Sequence, residues 1–180
     1  DYEYLISVMG QDVLVNDLPR RVLITNRNLN QNYNDKNISS LSPLNRGDLI
    51  LFEGKRYMII SEESKRTSGR WKGIMRYLPF TLKINHDCTY IKTPCFIDSP
   101  SFGVVDGKIM STASGEIFVH TQDNEQTRQI SIGDRFLQYG QAFKIVGIDR
   151  YSQPGIVIFI CEKDQIDPAK DDVQNDLAGG

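Results

Sequence analysis

Apolar residues recur along this chain in two rhythms. Near the start Tyr2, Leu5, Ile6 and Met9 are spaced three and four apart and Gly10 follows, which predicts a short amphipathic helix within residues 1–12. Everything after it has the shorter rhythm of strands. "DVLVNDLPRRVLI" is two β-rich runs around Asn16–Pro19, a hairpin signal. The stretch from Ile24 to Gly47 is rich in Asn and Ser with little apolar periodicity, and reads as a long loop of the kind that often forms a contact surface. "GDLILFEGKRYMIISE" then places two apolar runs around Glu53-Gly54, where glycine supplies the positive φ of a tight hairpin. A second hairpin leads through "EESKRTSGR" into "WKGIMRYLPF". Asp106-Gly107 marks another turn, "GEIFVHT" another strand, and "DQIDPAKDDVQNDLAGG" an acidic, apolar-poor linker or tail.

The strand pattern is written twice. Gly47–Glu62 and Gly133–Ile148, 86 positions apart (133 − 47 = 86), share five identities in sixteen positions: Gly47 with Gly133, Asp48 with Asp134, Leu51 with Leu137, Gly54 with Gly140, and Ile59 with Ile145. These fall at turn glycines and at strand positions suited to a core, so Gly47, Asp48, Gly54, Gly133, Asp134 and Gly140 are candidate structural turns of one repeated hairpin. Downstream the copies stay in step, with Trp71 opposite Val157 and Ile74 opposite Ile160. The expected fold is all-β: two related small β-barrel or β-sandwich modules in tandem after a short N-terminal helix. The expected division is helix 1–12, first module 13–90, second module 91–166 and acidic linker or tail 167–180, with Pro94 and Pro100 bracketing the junction.

Charge adds an asymmetry. The net charge of −2 divides into +3 over residues 1–90 and −5 over residues 91–180, which favours two unlike faces over one nucleic-acid-binding surface. Cys88, Cys95 and Cys161 form no CxxC pair, so they read as free thiols in a reducing cytoplasm. Apolar runs such as Ile156–Cys161 are far too short for a membrane helix, and no export signal opens the chain. A start at Asp1 reads as a trimmed N-terminus.

Candidate chemistry is sparse. His86 and His120 are the two histidines, and a Cys–His pair would have to join one of them to Cys88 or Cys95, with no oxyanion-hole loop nearby. No phosphate loop, dinucleotide fingerprint, zinc-protease or EF-hand motif occurs. The expectation is therefore no enzyme, no cofactor and no metal. The one charged feature is "SKRTSGRWKGIMR", where Lys65, Arg66, Arg70, Lys72 and Arg76 surround Trp71. Such a hairpin can contact nucleic-acid phosphates or a protein partner; equally, its cations guard a strand edge while Trp71 packs in the core.

Two resemblances bear on function. Gly-Asp, a strand and Gly resemble the KOW-type SH3-like barrel, an alternative in which the basic 65–76 hairpin binds nucleic acid. The further glycine of that motif is replaced by Arg56-Tyr57-Met58 and Ala142-Phe143-Lys144. "NDK", "RGD", "YMIISE" and "TRQISIGDRFLQYGQAFKIVGIDRY", within a likeness running from about Asp12 to about Lys163, resemble virion structural proteins of tailed phages and prophages of Gram-positive bacteria. Such proteins often continue past an acidic linker into an immunoglobulin-like domain. This second resemblance implies a neck or head–tail connector subunit (adaptor, stopper or collar), assembled in the host cytoplasm and carried in the virion. Its implied partners are portal, neck or tail proteins and copies of itself in a ring, with DNA in the channel as a further contact. "NRNLNQNYNDKNISS" would be an assembly loop, and the +3 and −5 halves would meet head to tail between subunits.

Overall fold

A computed structural model describes residues 1–27, 34–62, 64–65, 69–98, 103–105, 108–110 and 115–179. The chain divides into two compact units. The first is Asp1–Pro79 with Gln153–Ile156; the second is Phe80–Ser152 with Val157–Gly180.

The first unit opens with helix α1 (Tyr2–Met9), whose N-terminus is capped by the Asp1 carboxylate and which ends at Gly10. Seven strands follow: β1 (Gln11–Val15), β2 (Leu18–Asn26), β3 (Asp35–Ser40), β4 (Leu49–Phe52), β5 (Lys55–Ile59), the two-residue β6 (Ser64–Lys65) and β7 (Trp71–Tyr77). They run in the order β3-β2-β1-β4-β5-β7, and β3 pairs with β7 to close a six-stranded barrel, with the short β6 pairing to the start of β7 and β5 to its end. Inward residues such as Val22, Ile38, Ile50, Ile59 and Met75 fill it.

The second unit has strands β8 (Phe80–His86), β9 (Thr89–Asp98), β10 (Gly103–Val105), β11 (Lys108–Met110), β12 (Ile117–Gln122), β13 (Arg135–Gln138), β14 (Gln141–Asp149) and β15 (Ile156–Asp164). β10 and β11 form a separate antiparallel pair, while the rest close in the order β12-β9-β8-β13-β14-β15. Leu82, Ile84, Val119, Phe136, Ile145 and Phe159 are among its core. Replacing β3, β2, β1, β4, β5 and β7 by β12, β9, β8, β13, β14 and β15 converts one ring order into the other. Registers repeat as well. Leu49 faces Met58 as Arg135 faces Lys144, and Ile59 faces Met75 as Ile145 faces Cys161, each pair shifted by 86 positions.

Three expectations are corrected. The junction lies at Pro79/Phe80 instead of 90/91, because β8 and β9 form one hairpin that pairs Phe80 with Cys95 and Thr81 with Pro94. Pro94 therefore sits within a barrel strand, where its carbonyl still accepts a bond of 2.9 Å from Thr121. The Asn-rich stretch contains β3, made a strand by partners on both sides despite weak apolar alternation; the middle of the expected assembly loop, residues 28–33, lies outside the described residues. The acidic segment 167–179 is attached to the second barrel, as described below.

Candidate functional site

The repeated Gly-Asp is a turn whose hydrogen bonds recur atom for atom. Gly47 N–H donates to Ile59 O at 2.8 Å, and Gly133 N–H to Ile145 O at 2.8 Å. Ile59 and Ile145 return the bond to the carbonyls of Asp48 and Asp134 at 3.0 and 2.9 Å. The two carboxylates accept from the backbone three residues upstream, Asn45 N–H at 2.9 Å and Ser131 N–H at 2.8 Å, which locks the chain reversal. Both glycines have positive φ, +92° and +98°. The next turns, Glu53-Gly54 and Tyr139-Gly140, have positive φ at both central residues, as a two-residue hairpin matched to strand twist requires. Asn16-Asp17 and Asp87-Cys88 make the same turn without glycine.

The two aspartates differ in what else they hold. Asp48 accepts from the Asn16 side chain at 2.9 Å, whereas Asp134 lies 2.8 Å from His86 Nδ1. His120 stacks on Phe96 with ring centroids 4.4 Å apart and places Nε2 3.3 Å from Asp98. Cys95 and Cys161 are buried in the second core, where desolvation pushes the Cys161 thiol up to about 12 and raises Cys95 further, with Cys161 adding to it. Cys88 is exposed on its turn. Neither buried thiol is suited to be a nucleophile, since the reactive form is the thiolate.

The described residues of the basic segment have different surroundings. Arg76 binds Asp35 through two hydrogen bonds of 3.0 and 3.1 Å, with both side chains largely buried. Trp71 is half-buried and packs against the first core. Lys65 is in β6, paired with Trp71 across the strands, and Arg66 lies outside the described residues. Arg70 and Lys72 line a cavity of about 460 Å³ on the first unit, together with Asn37, Ser39, Ser61 and Glu62.

Sequence reasoning missed the densest polar cluster. Arg135, directly after the second Gly-Asp, hydrogen-bonds both oxygens of Asp171 at 3.0 Å, Asp164 at 2.7 Å, Gly179 O at 3.1 Å and Gln165 O at 2.9 Å. The Asp171 side chain is fully buried and also accepts from Asp167 N–H and Gly179 N–H. The hydrogen bonds from Arg135 hold its carboxyl down at about 2, and the same pairing raises the arginine. Ala178 is buried against Leu137 and Ala142, and its carbonyl accepts from Asn85 and Tyr90 at 2.8 Å. Through Asp171 and two backbone carbonyls a single arginine thus fastens an acidic segment that composition alone marks as solvated.

Among the described residues, no group of three or more His, Cys, Asp or Glu side chains could hold a metal ion. None of the described helices is long and apolar enough to cross a membrane.

Comparison with known proteins follows the barrels. No curated protein and no solved structure matches the chain. Residues 1–77 match the model of the YomX N-terminal domain, and residues 80–162 match that of the YomX C-terminal domain. The two matches meet where the structure divides the units. YomX is a protein name of the Bacillus SPbeta-like phage type. Carrying both domains in order, one on each barrel, the chain belongs to the phage-associated YomX family.

Proposed function

We propose that the protein is a non-enzymatic structural subunit of a phage virion that assembles into a ring of the head–tail connector type. The observation that carries this reading is the duplication: two barrels share one ring order and, across β4-β5-β7 and β13-β14-β15, the same registers. Closing the two barrels leaves their own sheets without free edges, so the barrels can associate through loops and side chains without open-ended strand addition. Several of its carboxylates serve the architecture. Asp48 and Asp134 hold turns, Asp35 holds Arg76, and Asp164 and Asp171 hold Arg135.

The proposed partners are portal, neck or tail proteins of the same phage, met during assembly in the bacterial cytoplasm. Mixing the purified protein with each of them and following sedimentation velocity tests this. Co-sedimentation at fixed stoichiometry with one of them is expected. Independent sedimentation from every head and tail component would contradict the connector role.

A further inference from the structure

The cavity on the first barrel has the makings of an anion site. It is lined by residues of β3 and β7 together with Ser61, Glu62 and Arg70. Its volume of about 460 Å³ falls in the range of small-ligand pockets. Two serines in its wall are oriented by bonds they accept. Ser39 Oγ accepts from the Tyr2 hydroxyl at 2.6 Å, and Ser61 Oγ accepts from Ile74 N–H at 2.9 Å. Each serine therefore keeps its own O–H for donation.

Arg70 supplies the charge. Its guanidinium is held over the Tyr2 ring, 4.9 Å from the centroid. Its Nε is buried and has no hydrogen-bond partner among the described residues. Arg76, six positions along, is closed by Asp35, and Arg46 pairs with Glu62. Among the described residues Glu62 is the one carboxylate in the cavity wall; its side chain is 85% exposed and is drawn to Arg46 at 3.5 Å. Lys72 adds a second positive charge to the wall, and the Asn37 amide a further donor group. Hydroxyl donors around a planar guanidinium match the tetrahedral oxygens of phosphate better than a strand-edge guard would need.

We propose that this cavity binds a phosphate group, with Arg70 as its principal ligand, oriented by Tyr2, and with Ser39 and Ser61 as donors. The phosphate can belong to a free anion or nucleotide, or to a nucleic-acid backbone. The basic segment is then a localised site of Arg70 and Lys72, with Arg76 serving the barrel.

The test is amide NMR and calorimetry on the full chain, titrated separately with inorganic phosphate, a mononucleotide and a short single-stranded DNA. Saturable shifts at the Ser39, Ser61 and Ile74 amides are expected, with affinity at least about tenfold weaker in Arg70→Ala. Arg70→Lys, which keeps charge but loses the planar fork, should fall between the two, and a wild-type-like thermal midpoint would show that the variants fold. Binding of DNA that phosphate displaces would assign the ligand to a nucleic-acid backbone; binding of phosphate or nucleotide without DNA would assign it to a free anion. No saturable shift at these amides in the wild-type chain, or equal affinity in wild type and Arg70→Ala, would overturn the site.

Discussion

Arg135 and Asp171 face each other through two parallel hydrogen bonds of 3.0 Å, and the aspartate side chain is fully buried. The pair fastens residues 165–179 to the second barrel, because Arg135 also binds Gln165 O and Gly179 O. Asp171→Ala leaves the guanidinium without its main partner and two backbone N–H groups without an acceptor. Removing one partner of such a pair costs roughly 3 kcal/mol. Thermal unfolding should show this loss, and limited proteolysis should cut the segment before the barrel.

The same pair sets a pH dependence. Asp171 is held at about 2 when folded, below the ordinary carboxylate value, chiefly by its hydrogen bonds from Arg135. A carboxyl depressed on folding contributes stability that is complete above about pH 4 and disappears as pH falls toward 2. Denaturant midpoints between pH 5 and pH 2 should therefore fall, and fall less in Asp171→Asn. Equal slopes for both proteins would contradict the role given to this carboxyl.

The two copies of the turn glycine respond differently to the same substitution. A Cβ on Gly47 would lie 2.1 Å from Gly155 O, whereas a Cβ on Gly133 meets nothing within 4 Å. Both have positive φ, so Gly133→Ala costs the backbone strain alone, about 1–2 kcal/mol. Gly47→Ala adds a backbone clash within the first unit and should cost roughly 3 kcal/mol or more. Chemical denaturation of the two variants measures the difference directly.

The three thiols should separate into two classes. Exposed Cys88 reacts with an alkylating reagent in the native protein, while Cys95 and Cys161 wait for unfolding. Mass spectrometry of the alkylated native chain should find one modified cysteine, and of the denatured chain, three.

What the sequence reveals here follows the range of the interactions. The Gly-Asp turn is readable because its key bond joins Asp48 to Asn45, three residues away, and because glycine at positive φ leaves a visible mark. The barrel closure is hidden because β3 is held by cross-strand bonds to β2 and β7, with Ile38 as its main core residue. Pro94 misplaces the module boundary because a proline can occupy a barrel strand where its N–H is not needed. Arg135 gives no local signal at all, since Asp171 is 36 positions away. The candidate phosphate site shares that difficulty. Arg70 stands out as a cation, but Tyr2 and Ser39 approach it only through the fold.

The central claim is that the duplicated barrels serve assembly, and the most direct measurement is the mass in solution by light scattering after size exclusion, at low and high salt. A discrete oligomer that weakens as salt screens the contact between the +3 and −5 halves is the predicted result. A strict monomer at every concentration and salt, unchanged when portal, neck and tail proteins are added, would contradict it.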